Sequence, residues 1–267
     1  MALPKGLTVV VTGATGGIGR ELVTALARTG SRLILHGRSG DRVAETVRAV
    51  AAGGVEARGV VADLSSLDAT ARLAEEALAG GSIDVLINNA GVGFGKDRAL
   101  RETSRDGFEL RFAVNYLAPV LLTRKLLARG MPTRAVVNVA SAGQAPLDLD
   151  DLQSTRHYDG VQAYRRSKLA LICFTLDLAA ETKIAVNALH PGTFLDTGMV
   201  RQSGIRPLGP ASHGADTIVR LIERSLDGIS GRYFDQTEPA PPDPQALDLG
   251  FRKLLRQRTD ELLARFL

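Results

Sequence analysis

Leu7-Thr-Val-Val-Val-Thr-Gly-Ala-Thr-Gly-Gly-Ile-Gly-Arg20 is the stretch on which the architecture turns. A β-branched apolar run, Leu7–Thr12, passes directly into four glycines (Gly13, Gly16, Gly17 and Gly19), and a helical pattern, Gly17–Arg28, follows. Glycines at such a junction let the chain turn sharply and approach a pyrophosphate, whose charge the helix N-terminus stabilises. The spacing G-x-G-x-x-G does not fit, because Gly17-x-Gly19 is followed by Glu21-Leu22. A Walker-type loop fails as well, since no Gly-Lys-Ser/Thr follows. A tight strand–helix connection would use the same residues, but the position after the first strand favours the phosphate reading.

Outward from this junction the pattern repeats. Arg32–His36, Val55–Val61, Ile83–Asn88 and Ala135–Val139 read as buried strands, with helices over Asp41–Ala52, Ser65–Ala79 and Thr103–Arg129, the last split near Pro119. Asp41 and Ser65 fit as helix N-caps. Helix Val161–Thr182, strand Ile184–Leu189, helix Ala211–Leu226, strand Gly231–Phe234 and a terminal helix complete the chain. Alternating strands and helices predict an α/β fold, one doubly wound Rossmann-type domain over residues 1–267, with about seven mainly parallel strands covered on both faces. In the terminal helix, positions 251, 254, 255, 262 and 266 are expected to share one docked face.

Composition bounds the function. Apolar residues are 45% and charged residues 23% of 267, which excludes general disorder. The charge of +4 comes from arginines scattered among acids, and aromatics are only 4%, so no nucleic-acid surface is expected. The lone Cys173 excludes a disulfide framework and a thiolate zinc site, and the four histidines lack ligand spacing, so no metal is expected. No apolar run of ~18 residues exists, and Met1–Gly6 has no signal-peptide organisation. These features predict a cytoplasmic protein without a membrane partner.

Two further motifs carry chemistry. The second strand ends in His36-Gly-Arg-Ser39, with no acid before Asp41. Arginine there accommodates a 2′-phosphate through its planar fork, and Ser39 adds a hydrogen bond, so NADP(H) is expected over NAD(H). Tyr164-Arg-Arg-Ser-Lys168 places a phenol and an ammonium on one helix face. A neighbouring cation is expected to lower the tyrosine pKa into a useful range. Ser141 follows the strand Ala135–Val139, at the end of an open sheet where ligands bind.

With these residues in place, the sequence resembles the short-chain dehydrogenase/reductase family over nearly its whole length. The glycine loop has the form T-G-x-x-x-G-x-G, Ala62-Asp63-Leu64 matches an adenine-contacting segment, and Asn88-Asn89-Ala90-Gly91 closes the fourth strand. The resemblance implies a catalytic set of Asn115, Ser141, Tyr164 and Lys168, with Asn115 positioning a proton-relay water. It implies cofactor contacts from Gly13, Thr15, Gly16, Gly17, Ile18, Gly19, Arg38, Ser39, Asp63, Leu64, Asn89, Tyr164, Lys168, Pro191, Gly192 and Thr193. Thr197 stands one position later than the usual pattern, which leaves Thr193 and Thr197 as alternatives for one contact. Thr103-Ser-Arg-Asp-Gly-Phe-Glu109 and Asn115-Tyr-Leu-Ala-Pro-Val-Leu-Leu-Thr123 are similar to the retinol-dehydrogenase-like branch and to short bacterial carbonyl reductases.

The activity so implied is hydride transfer between a nicotinamide and a carbonyl or alcohol, with Tyr164 as general acid or base. Two other readings are a cofactor-sensing regulator without turnover and the epimerase/dehydratase branch. The filled proton-transfer set argues against the first, and the short C-terminal part against the second. Substrate loops are placed at about 142–160 and 193–210. Phe194, Leu195, Met199, Ile205 and Leu208 suggest a small apolar carbonyl or alcohol compound. Segment 142–160 is expected to act as a lid. The resemblance also implies a homodimer or homotetramer built on helices at about 105–129 and 161–182.

Overall fold

The computed structural model describes residues 3–267; Met1 and Ala2 of the leading stretch lie outside them. Eight strands form one sheet in the order β3-β2-β1-β4-β5-β6-β7-β8. They are β1 (Thr8–Val11), β2 (Arg32–Gly37), β3 (Ala57–Val61), β4 (Val85–Asn88), β5 (Ala135–Val139), β6 (Ala185–His190), β7 (Arg232–Asp235) and β8 (Glu238–Pro239). The first seven pair in parallel. The eighth was not expected: Glu238 and Pro239, in a stretch with prolines at 239, 241, 242 and 244, fold back antiparallel on β7 and close that edge. β1, β4, β5 and β6 are buried throughout, as strands covered on both faces must be.

Helices α1 (Gly17–Ala27), α2 (Gly40–Ala51) and α8 (Ala211–Leu226) belong to one face; α1 and α8 bury Leu22, Leu26, Ile218 and Ile222 against Val9, Val11 and Leu189. On the other face lie α3 (Leu67–Leu78), α5 (Ala118–Leu127) and α6 (Gly160–Glu181). The chain reverses direction across the sheet on either side of β1, which has β2 and β4 as neighbours. The carboxyl ends of these strands open a crevice there.

Local departures have identifiable causes. Residue 39, not Asp41, is the cap position of α2, with Asp41 in its first turn. Ser66, not Ser65, caps α3, accepting from the Ala69 N–H at 3.2 Å. The helix expected from Thr103 begins seven residues later as α4 (Leu110–Phe112), because Glu109 caps it by accepting from the Phe112 N–H. It runs through a π-turn, Ala113–Leu117, into α5 without a break. The Ala118 N–H bonds to the Ala113 carbonyl, five residues back, and this wide turn accommodates Pro119, which has no N–H to offer.

The terminal helix α9 (Leu249–Leu263) docks through Leu255, Thr259 and Leu263, with Phe266 beyond its end. Leu254 is exposed instead, since a spacing of four residues from 255 sets the buried stripe. The Thr259 hydroxyl lies 2.7 Å from the Tyr116 hydroxyl, and Arg124–Asp260 and Arg252–Asp177 ion pairs flank the contact. α9 thus packs on α5 and α6, the helices on which a homodimer or homotetramer is expected to be built.

Candidate active site

The β1–α1 turn is kept bare by its glycines. Gly13 has φ +68°, and a Cβ there would lie 2.9 Å from the Ala90 Cα. A Cβ on Gly19 would fall 2.1 Å from the Gly13 carbonyl oxygen, so α1 can approach the turn only without a side chain at that point. Asn89 ties β4 to the turn, its amide donating to Thr12 O at 2.8 Å and Gly13 O at 3.3 Å. The Gly13 N–H donates to Nδ1 of His36 at 3.3 Å, and the opposite ring nitrogen donates to Ala62 O at 3.0 Å. Burial lowers the His36 pKa and keeps this connector neutral. Gly16 offers no side-chain cap, and the first turn of α1 holds no acid. The residues present therefore fit a dinucleotide's pyrophosphate. Ile18 sends its side chain against the Gly214 region of α8, leaving its backbone to face the turn.

At the end of β2, Arg38 is exposed and Ser39 half-buried. Sequence reading missed Arg42, which reaches back from α2 to donate to the Thr15 carbonyl at 2.6 Å. After β3, Asp63 accepts from the Ser65 N–H at 3.0 Å and lies 3.4 Å from Arg105, while Leu64 is buried. Arg38, Ser39, Asp63 and Leu64 thus stand at the carboxyl ends of two adjacent strands.

The four positions expected to be catalytic gather beyond β4 and β5. The π-turn contains Asn115, whose side chain accepts from the Val92 N–H at 2.8 Å and donates to Val92 O and the Ser167 hydroxyl, each at 3.0 Å. Ser167 donates to the Tyr164 carbonyl at 2.7 Å, so Asn115 braces both the loop after β4 and the helix carrying Tyr164. Lys168 is buried and donates to the Val139 carbonyl at 2.8 Å. Its ammonium lies 5.7 Å from the Tyr164 ring centre. Desolvation drops its pKa to about 8.

The tyrosine differs from expectation. Burial raises the Tyr164 pKa, and a hydrogen bond with Ser141 opposes the rise; Lys168 is no part of the balance. The ammonium is engaged with Val139 and does not touch the phenol. The resting site therefore holds a protonated phenol, the form that donates a proton. Ser141 is fixed from two sides: its hydroxyl accepts from the Gly143 N–H at 3.0 Å, and its carbonyl accepts from the Tyr233 hydroxyl at 3.1 Å. Tyr233 and the edge-on Phe94, whose ring centre is 5.1 Å from that of Tyr164, were not read from sequence. The signal for Phe94 was its setting, Gly91-Val-Gly-Phe-Gly95.

Beyond β6 the threonine alternatives separate. Thr193 is exposed and its hydroxyl is 3.0 Å from Nε2 of His190. Thr197 caps the short helix α7 (Gly198–Gln202), and a Cβ on Gly17 would meet its methyl at 3.0 Å. Thr197, not Thr193, is thus the residue beside the glycine turn. Pro191 is buried and Gly192 has φ +134°. Leu195 turns inward against Gly192 and Gly214, leaving Phe194, Met199 and Leu208 to face outward or toward Gly93.

Segment 142–160, the expected lid, packs as a wall against the body of the fold. Leu147 and Ala145 are buried, Gln245 bonds both N–H and carbonyl of Leu147, and Gln144 accepts from the Asp243 N–H. The Asp151 carboxylate gathers the Thr155 and Arg156 N–H groups. Deleting 147–154 would remove core and not merely shorten a cover. Among the described residues no helix is long and apolar enough to cross a membrane, and no cluster of three metal-ligating side chains occurs.

The family model for short chain dehydrogenases matches residues 7–206. Human retinol dehydrogenase 13 is 35% identical over 274 residues, covering 91% of this chain and 80% of that protein. The daunorubicin C-13 ketoreductase candidate DnrU of Streptomyces sp. (strain C5) is 35% identical over 257 residues, covering 92% and 88%. A metagenomic short-chain oxidoreductase solved in complex with NADP superimposes with a TM-score of 0.65 at 28% identity, covering 89% of this chain and 99% of that one. With the glycine turn, the tyrosine–lysine helix and these likenesses all in agreement, the chain belongs to the short-chain dehydrogenase family, on its retinol-dehydrogenase-like branch, and is an NAD(P)-dependent oxidoreductase.

Proposed function

We propose that the protein is an NADP(H)-dependent reductase of small apolar ketones or aldehydes, acting equally on the matching alcohols in reverse. The observation that carries this reading is the half-buried Tyr164, set edge-on to Phe94 with the buried Lys168 ammonium 5.7 Å from its ring, at the same end of the sheet as Ser141. When bound, the nicotinamide cofactor supplies or accepts the hydride. Ser141 holds and polarises the carbonyl oxygen, and Tyr164 delivers its hydroxyl proton to that oxygen. Lys168 would hold the cofactor ribose and supply positive charge to a developing phenolate, which is where it would lower the tyrosine pKa. Asn115 braces this helix and orders water leading to Lys168. Phe94, Met199, Phe194 and Leu208 provide the apolar surroundings.

NADPH absorbance followed against a panel of ketones, aldehydes and alcohols tests the reaction; no turnover with any of them would refute it. The cofactor preference has its own test. Arg38 is exposed at the end of β2 with no acid before Asp41, which supports a 2′-phosphate partner. Arg38→Ala should weaken NADPH by about 1–3 kcal/mol, the scale of a charge-assisted hydrogen bond, and leave NADH nearly unchanged. Equal losses for both cofactors in titration calorimetry would remove Arg38 from the 2′-phosphate site.

A further inference from the structure

The loop after β4 is built from alternating glycines, and each faces a different part of the site. A Cβ on Gly91 would lie 3.1 Å from the Asn115 side chain, and one on Gly93 only 2.6 Å from Met199. Gly95, at φ +88°, would place a Cβ 2.3 Å from the Arg111 guanidinium. Between Gly93 and Gly95, Phe94 stands edge-to-face with Tyr164 at an interplanar angle of 88°. Glycines alone would leave this loop slack. What fixes it is a charge buried behind it.

Arg111 and Glu109 are each 1% exposed at their side chains. The Arg111 guanidinium donates to the Gly93 carbonyl at 3.0 Å, to the Tyr158 hydroxyl at 2.9 Å and to Glu102 at 2.5 Å, with Glu109 at 3.4 Å. The Tyr158 hydroxyl donates in turn to Glu109 at 3.0 Å, and Glu109 also caps α4 through the Phe112 N–H at 2.7 Å. On its far side the loop is held by the catalytic helix. The Gly160 N–H donates to Arg98 O at 2.8 Å, and a Cβ on Gly160 would collide with the Phe94 carbonyl oxygen. A buried cation with two carboxylates and a phenol is an expensive way to hold a surface loop. Its one contact toward the reaction centre is the carbonyl that precedes Phe94.

We propose that Arg111, Glu109 and Tyr158 form a positioning clamp whose task is to hold Phe94 against the Tyr164 ring, so fixing the proton donor's orientation and the apolar side of the substrate mouth. This rests on the reading of Tyr164 as proton donor. Arg111 touches neither that phenol nor Ser141, and acts through the 93–95 backbone. Tyr158, at the end of the wall segment, couples that wall to the same clamp.

The mild variant Tyr158→Phe keeps the ring and deletes only the hydroxyl. Hydrogen exchange on the cofactor-loaded protein should show amides 92–95 exchanging about 10-fold faster in it, with α5 and α6 unchanged, as expected for local opening. With whichever aryl ketone of the panel the wild type reduces, kcat should fall about 5-fold while the KM for NADPH holds. In a Phe94→Ala background the same substitution should change kcat less than about twofold, the non-additivity of one shared path. Arg111→Lys, which retains charge but not the fork, should resemble Tyr158→Phe. Unchanged exchange at 92–95, or kcat losses that multiply in the double variant, would overturn the clamp. The exchange result needs no turnover, so it stands apart from the fate of the carbonyl-reductase reading.

Discussion

Tyr164→Phe should lower turnover by about 10²–10⁴-fold, the usual contribution of a positioned general acid, and leave NADPH affinity within about twofold. The phenylalanine ring fills the same space and preserves the edge-on contact with Phe94 at 5.1 Å. What disappears is one hydroxyl, held protonated by desolvation. Pre-steady-state mixing with NADPH and a carbonyl substrate separates the two quantities, since cofactor fluorescence reports binding and absorbance reports hydride loss. A protein built only to sense the cofactor would bind NADPH and show no turnover even before the substitution. A variant that keeps wild-type turnover would remove Tyr164 from proton transfer altogether.

Much of this arrangement was legible because its causes are local. The glycines at 13, 17 and 19 answer to contacts at which a Cβ would lie 2.1 to 3.0 Å from its neighbours, and β-branched runs mark strands wherever they fall. Tyr164 and Lys168 lie one helical turn apart, so their common face follows from the helix alone. The π-turn was only half legible. Pro119 marked a disturbance in the helix, but the place of the wide turn goes with the long-range bonds of Asn115 to Val92 and Ser167, which no local spacing announces. The Lys168–Tyr164 relation was misread because i, i+4 proximity was equated with contact. Burial and the Val139 carbonyl claim the ammonium in the resting protein. The Arg111 clamp escaped for a similar reason: its members come from residues 93 to 158, and sequence spacing carries no sign of their meeting. The covering of α5 and α6 by α9 likewise depends on ion pairs between residues over 70 positions apart.

Lys168 carries the other large effect, because its function opposes the stability of the fold. The side chain is 4% exposed and its one hydrogen-bond partner is the Val139 carbonyl at 2.8 Å. Burial lowers its pKa from 10.5 to about 8. That difference corresponds to a penalty of roughly 3 kcal/mol on folding with the ammonium charged. The sign follows from proton counts. Between pH 8 and 10.5 the unfolded chain binds the proton more fully than the folded one, so this residue makes stability rise with pH across that window. Below about pH 8 both states are charged, and the whole penalty stands. Lys168→Met has nearly the same shape without the charge, and loses only the bond to Val139. It should therefore unfold at higher urea concentration at pH 7, by about 1–2 kcal/mol after that lost bond is counted, and its stability should lack the rise above pH 8. Turnover should fall by at least about 10²-fold, because neither the cofactor ribose nor the forming phenolate then meets a cation. A variant less stable than the wild type at pH 7, with the alkaline rise intact, would show that the buried ammonium is compensated by partners other than Val139. The trade of stability for a poised charge would then be wrong.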